Sequence, residues 1–117
     1  MQYAMLVYPS SEEFALSDEE RTKLTPEYLA FREDPRCVGG AALQPPEATT
    51  TVRHGGSGHL IVDGPYADTK EVLGGYFVFE AKDLDEAVEV AQRIPAVRLG
   101  GGVEIRPLAE VGAELAH

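Results

Sequence analysis

The most constraining feature of this chain is the order in which its β-favouring and helix-favouring segments alternate. Short runs rich in β-branched and aromatic residues are separated twice by amphipathic helical patterns. The predicted strands cover residues 2–8, 37–43, 49–54, 59–63, 76–81 and 103–108, and the predicted helices run from residue 18 to before Pro35 and from Asp83 to before Pro95. Two strand–helix–strand units with an added β-hairpin predict an α+β sandwich of ferredoxin-like type, with both helices on one face.

Capping signals mark the start of both predicted helices. Ser17 and Glu20 form a capping box, and Asp83 opens the second helix with the same spacing. Thr25 and Pro26 form a further start signal inside the first helix, because proline is tolerated in the first turn of a helix. We therefore expect the first helix to kink or restart there.

The added hairpin is predicted in register as well as in position. Residues 55–58 read Gly-Gly-Ser-Gly, the composition of a four-residue turn. The cross-strand pairs that follow are His54 with His59, Val52 with Ile61 and Thr50 with Asp63. His54 and His59 would be close enough to hold a metal ion as a pair, but we expect two solvent-exposed histidines beside the turn instead. Asp63 lies about 13 Å from His59 along the strand, which excludes a three-ligand metal site.

The length and composition predict one domain over residues 1–117, with a weakly ordered tail over 109–117. A chain of 117 residues of which 44% are hydrophobic can close a single core. Cys37 is the single cysteine, which excludes a disulfide framework and a cysteine–zinc site and favours a reducing cytoplasm. We expect no metal or cofactor, and Cys37 is expected to be an inert thiol.

The charge balance indicates which partners to expect. Twenty acidic and ten basic side chains give a net charge of −10, which opposes phosphate backbones and anionic lipid surfaces. No apolar window approaches the length of a membrane span. We therefore expect neither nucleic acid nor a membrane as a partner.

The sheet is expected to leave one face bare. Tyr76 and Val78 lie on the aromatic fifth strand, and an apolar sheet face is costly in water. A second copy of the chain would cover it, so we expect a homodimer. Glu80, Glu104 and Arg106 are polar residues within strands that would line the inner cavity of such a dimer. Alternatively, Arg106 pairs with one of those glutamates.

The connection between the fourth and fifth strands is the main candidate for function. It is twelve residues long, and connections of this length between strands are often functional. Asp63 would act as a carboxylate base, while Lys70 supplies a cation and Tyr66 and Tyr76 supply hydroxyl groups. The structural alternative is that Asp63 only accepts hydrogen bonds from its own turn.

The same stretch resembles a known family signature. Asp63-Gly64-Pro65-Tyr66, followed by Ala67-Asp68-Thr69-Lys70-Glu71 and Leu73-Gly74-Gly75, resembles the DGPF signature of the YCII-related family. The resemblance implies a ferredoxin-like fold that dimerises through its sheet into an α+β barrel. It also implies an association with extracytoplasmic-function sigma factors.

The resemblance also bears on catalysis. A histidine and aspartate pair has been proposed as the active site of the YCII branch, but Glu27, Tyr28 and Phe31 stand where that histidine would lie. Only Asp63 is therefore carried over as a catalytic candidate.

Two functional hypotheses follow, and the sequence leaves open whether the chain is an enzyme. The first is a small cytoplasmic homodimer that binds a small ligand or a regulatory protein partner. The alternative is a small-molecule enzyme of the dimeric α+β barrel type that uses Asp63 as its general base. In either case Tyr66, Lys70, Tyr76 and Arg106 are the candidate ligand-binding residues.

Overall fold

A computed structural model describes residues 1–67 and 69–109 of the chain. The elements in order are β1 (Gln2–Tyr8), α1 (Ser11–Phe14), α2 (Asp18–Glu33), β2 (Cys37–Ala42), β3 (Thr50–Gly55), β4 (Gly58–Asp63), β5 (Gly75–Glu80), α3 (Leu84–Ala91), α4 (Pro95–Arg98) and β6 (Gly102–Pro107). A 3-10 turn covers Pro46–Ala48 between β2 and β3. Most of the tail expected to be weakly ordered, residues 110–117, lies outside the described residues.

The main sheet has four antiparallel strands in the order β2-β5-β1-β6. The first strand–helix–strand unit begins with β1, and the second ends with β6. These two strands lie side by side, which is the ferredoxin-like arrangement. The α+β class and the ferredoxin-like topology predicted from the sequence are confirmed. A separate two-stranded ribbon, β3–β4, is the added hairpin.

The hydrophobic core lies between the sheet and the helices. Met5 and Phe79 are fully buried on the helix-facing side of neighbouring strands, and Phe77 and Phe79 meet edge to face at 6.1 Å between ring centroids. Phe31 of α2 packs against both rings, at 5.9 and 6.4 Å. The helices that build the core all pack on this helix-facing side of the sheet. The side that faces away from them carries Tyr76, which is 39% exposed.

The predicted helix starts are confirmed in detail. Ser17 and Glu20 form both hydrogen bonds of the capping box, and Asp83 accepts from the backbone of Glu86 at 2.9 Å. The restart predicted at Pro26 is wrong, because α2 is one continuous helix with Pro26 inside it. Proline removes its own N–H from the helix ladder and crowds the preceding turn, but Tyr28 and Phe31 of the following turns pack against the core and hold the helix in place.

Two short helices were not predicted. The N-terminal one, α1, is capped by Ser10, whose hydroxyl accepts from the backbone of Glu13 and donates to the carbonyl of Leu99 at 2.7 Å. The other, α4, begins at Pro95, where the sequence pattern predicted only the end of a helix. Gly101 follows closely: a Cβ on it would overlap the carbonyl oxygen of Tyr8, so only glycine fits.

The predicted register of the hairpin is confirmed, including the pairs of His54 with His59 and Val52 with Ile61. The turn is tighter than expected, because Gly55 pairs with Gly58 and leaves two residues between them. The side of the ribbon that carries the pair of Val52 with Ile61 faces solvent: Val52 is 60% and Ile61 is 68% exposed, whereas Thr51 on the other side is buried. Within the described part of the chain, no helix is long and apolar enough to cross a membrane.

Candidate functional site

A cavity of about 980 Å³ lies between α2 and the end of the sheet formed by β2 and β5. This volume is typical of a site for a small molecule. Most of its wall is apolar and comes from α2, the sheet and the segments that flank the ribbon. The apolar lining includes Val7, Pro9, Phe14, Leu24, Leu29, Leu43, Pro45, Pro46, Val72 and Phe77.

Small residues create this cavity. Gly40 pairs with Phe77 and Ala42 pairs with Gly75, so these positions share the helix-facing side of the sheet. Three of the four carry little or no side chain, and α2 therefore stands above a strand end with nothing to fill the gap. A larger residue cannot easily replace Gly40 to fill this gap. Gly40 has a φ of 149°, and a Cβ on it would overlap the backbone of the neighbouring strand.

Glu13 and Tyr28 form a hydrogen-bonded polar pair in the lining of this mostly apolar cavity. The Tyr28 hydroxyl donates to Oε2 of Glu13 at 2.7 Å, and both side chains line the cavity. Glu13 is only 8% exposed, which is unusual for a carboxylate. Because α1 is held by Ser10 and Tyr28 lies in the middle of α2, the pair joins the two helices.

The second oxygen of the Glu13 carboxylate has no hydrogen-bond partner among the described residues. Oε1 is buried and receives no hydrogen bond from the residues that the structure describes. A buried acceptor left unpaired costs about 1–3 kcal/mol of stability. Such unsatisfied groups are uncommon in folded proteins, and a lining residue that has one is a candidate for ligand binding.

The surroundings of Tyr28 favour its neutral form. Burial raises the pKa of the Tyr28 hydroxyl well above its usual range, and the hydrogen bond to Glu13 adds to that increase. The backbone of Ala96 acts on this pKa in the opposite direction, with a smaller effect. Next to Tyr28, Glu27 accepts two hydrogen bonds of 2.7 Å from Arg98, and the pKa of Glu27 is lowered by that contact.

Exposed charged groups surround the mouth of the cavity. The basic ones are Arg21, Arg32 and Lys70, and Glu47 is acidic. Arg21 also donates to the carbonyl oxygen of Phe14 at 3.0 Å and so helps to close the end of α1. The described residues of the mouth therefore include more basic than acidic groups, although the whole chain is acidic.

The structure brings together two of the residues predicted for the site. Lys70 and Tyr76 both line the cavity. Asp63 ends β4 and is exposed, and it is outside the cavity lining. Tyr66 is 71% exposed and lies beneath the guanidinium group of Arg53, 5.2 Å from its ring centre.

Arg106 lies elsewhere, on the uncovered side of the sheet. Its guanidinium group contacts the carboxylate of Glu104 at 2.8 Å, which is the alternative pairing considered from the sequence. Arg106 shares that side with Tyr76, but it lies on β6, two strands away from β5, and it is outside the cavity lining.

Sequence reasoning missed Glu13. Its segment has a serine three residues before a glutamate, the spacing of a capping box, and this signal was available for a short helix. Its burial beside Tyr28 depends on how α1 folds back on α2, which no local pattern encodes. In residues 1–67 and 69–109, no three metal-binding side chains of the histidine, cysteine or carboxylate types lie together.

Known proteins resemble the chain along nearly its whole length. An uncharacterized protein of Rhizobium meliloti is 34% identical, with 93% of each chain covered. The solved structure of 5-chloro-2-hydroxyhydroquinone dehydrochlorinase from Burkholderia phenoliruptrix, in complex with 2,5-dihydroxybenzoquinone, has a TM-score of 0.54 at 15% identity and covers 93% of this chain and 94% of that one. At that identity the likeness shows the fold alone. The YCII-related domain family matches residues 1–111, and the chain therefore belongs to that family.

Proposed function

We propose that this protein binds a small, mostly apolar molecule in the cavity between α2 and the end of β2 and β5. The observation that carries the proposal is the combination of an apolar cavity of about 980 Å³ with one buried polar pair, Glu13 and Tyr28. Small-molecule sites have this composition, an apolar wall with a few polar groups that fix orientation.

A small ligand suits this site better than a regulatory protein partner does. The cavity is concave and is walled by helix, sheet and loop, whereas protein partners cover broad and flatter surfaces. The family resemblance remains the sole support for a partner linked to sigma factors. We therefore propose the ligand as the primary function.

Catalysis on the bound molecule is the second candidate, and two carboxylates compete for the role of general base. Asp63 was the candidate from the sequence. The geometry favours Glu13, because it is buried at the cavity and hydrogen-bonded to a tyrosine, while Asp63 is exposed and outside the lining. The dehydrochlorinase with the same fold acts on a small ring compound, which is compatible with this candidate.

A binding experiment with a fluorescent dye tests the primary proposal. Anilinonaphthalene sulfonate has apolar rings for the cavity and an anionic group for the basic mouth. Ala42→Leu places a larger side chain in the cavity, and Ala48→Leu is the matched control on the exposed 3-10 turn. The leucine side chain would occupy space that the dye needs, so the dye would lose contact with the apolar wall. We expect Ala42→Leu to weaken dye binding about tenfold for this reason. Equal binding by both variants would show that the cavity is not the site.

A further inference from the structure

We propose that Oε1 of Glu13 recognises a neutral hydroxyl group on the bound molecule. The inference deepens the proposed function and rests on it, since it specifies the chemical class of ligand that the cavity takes. That class is a mostly apolar molecule with one O–H donor, such as a phenol or an enol.

The hydrogen bonding of the Glu13 carboxylate carries the argument. Oε2 accepts from the Tyr28 hydroxyl at 2.7 Å, whereas Oε1 is buried and has no partner among the described residues. An ionised carboxylate accepts hydrogen bonds and donates none. The group that completes this site is therefore a donor, and it comes from the molecule in the cavity that Glu13 lines.

Tyr28 is a positioning residue in this arrangement. Its only proton is donated to Glu13, so the Tyr28 hydroxyl is not available to donate to a ligand. Because Tyr28 on α2 holds Oε2 of Glu13 on α1, it fixes the orientation of Oε1 as well. This preorganisation lowers the entropy lost when a ligand binds.

The charges at the cavity decide which kind of donor fits. Among the residues that the structure describes, five charged ones line the cavity, and three of these are basic, namely Arg21, Arg32 and Lys70. A cationic ligand would meet these groups at the mouth, and an anionic group placed against Glu13 would be repelled by its carboxylate. A neutral hydroxyl avoids both penalties.

A pair of matched probes tests the inference on the unmodified protein. Para-nitrophenol has an O–H donor, and para-nitroanisole has the same ring and nitro group but a methoxy group that cannot donate. At a pH low enough to keep the phenol protonated, we expect the phenol to bind at least about tenfold more tightly, as a hydrogen bond to a charged acceptor gives. Raising the pH to form the phenolate should remove that preference, and its visible absorbance reports the change.

Two variants assign the preference to Glu13. Glu13→Gln replaces one acceptor oxygen by an amide that donates, and it should abolish the preference for the phenol. Glu12→Gln changes the neighbouring exposed residue of α1 and should leave the preference unchanged. Because the comparison of the two probes needs only the natural chain, the test holds even if one variant folds poorly.

The outcomes separate this inference from the proposed function. If the natural chain binds the dye but binds the two probes equally, or binds neither probe, the hydroxyl inference is overturned and the cavity remains the proposed site. If it binds neither the dye nor the probes, both proposals fail. A preference for the phenol that Glu13→Gln retains would also overturn the inference.

Discussion

The Tyr28 hydroxyl donates a hydrogen bond of 2.7 Å to Oε2 of Glu13, fifteen positions earlier in the chain. This bond joins the short helix α1 to the long helix α2 at the lining of the main cavity. The same carboxylate carries Oε1, which is buried and has no hydrogen-bond partner in the part of the chain that the structure describes. A contact that fixes the fold is thus also the contact that shapes the site.

The bond between Tyr28 and Glu13 should be measurable as stability. Tyr28→Phe removes the donor and leaves both carboxylate oxygens unpaired, so we expect the free energy of unfolding in urea to fall by about 1–3 kcal/mol. Replacing both partners, Glu13→Leu with Tyr28→Phe, should restore part of this loss, since no buried acceptor remains. Tyr66→Phe is the control on an exposed tyrosine and should change stability little. An unchanged Tyr28→Phe variant would contradict the importance of the bond.

The raised pKa of Tyr28 predicts a dependence of stability on alkaline pH. The folded chain holds the proton of Tyr28 more tightly than the unfolded chain does, because burial and Glu13 disfavour the phenolate. Its contribution is therefore complete below the usual pKa of tyrosine, about 10, and is lost as pH rises above that value. We expect urea midpoints to fall above about pH 10 in the natural chain and to fall less steeply in Tyr28→Phe. Parallel pH profiles would contradict this assignment.

How much of the fold the sequence could predict depends on whether the signal is local. The hairpin register followed from a glycine-rich turn and alternating strands, and the helix starts followed from capping boxes, so these were predicted correctly. The restart expected at Pro26 does not occur, because packing of α2 against the core overrides a local helix-start signal.

The candidate site was predictable only in part, for the same reason. Lys70 and Tyr76 lie in the segment that precedes and begins β5, and both line the cavity. Glu13 was missed because its role depends on a contact with Tyr28 across two helices. The sequence also predicted Asp63 and Arg106 in the same cavity. Neither lines it, because the positions of the ribbon and of β6 depend on tertiary packing that no local sequence pattern encodes.

Gly101 should be intolerant of substitution because the backbone around it is closely packed. A Cβ at Gly101 would overlap the carbonyl oxygen of Tyr8 and crowd the backbone of Ser10 and Ala96. We expect Gly101→Ala to reduce the free energy of unfolding by about 1–3 kcal/mol, the usual cost of overpacking. Gly102→Ala is the matched control, since a Cβ there meets nothing within 4 Å. Similar unfolding midpoints for the two variants would be inconsistent with this packing.

Comparing Asp63 with Glu13 tests which carboxylate serves the site. Asp63 is exposed and outside the cavity lining, so Asp63→Asn should leave dye binding unchanged and alter stability by less than about 0.5 kcal/mol. Glu13→Gln should change the selectivity between the phenol and the anisole, as argued above. A loss of ligand binding or turnover in Asp63→Asn, with stability unaffected, would instead support the hypothesis drawn from the family signature.

The uncovered side of the sheet predicts a homodimer. Leu6 pairs with Tyr76 on one neighbouring strand and with Glu104 on the other, so apolar side chains lie at the centre of this face and charged ones lie on its β6 side. A second copy related by a two-fold axis would bury the same central patch on both chains, which an isologous interface requires. We expect light scattering to give twice the chain mass of 12.6 kDa at micromolar concentration.

A charge placed on this face tests how the dimer forms. Leu6→Glu puts a carboxylate at the centre of the proposed interface, beside Glu104 of the same chain, where two copies would bring it close to its own symmetry mate. We expect this variant to be monomeric with an unchanged circular dichroism spectrum. Leu60→Glu adds the same charge to the exposed ribbon, away from the sheet face, and should remain dimeric. A monomeric natural chain would contradict the predicted dimer. A dimer that survives Leu6→Glu but not Leu60→Glu would place the interface on the ribbon.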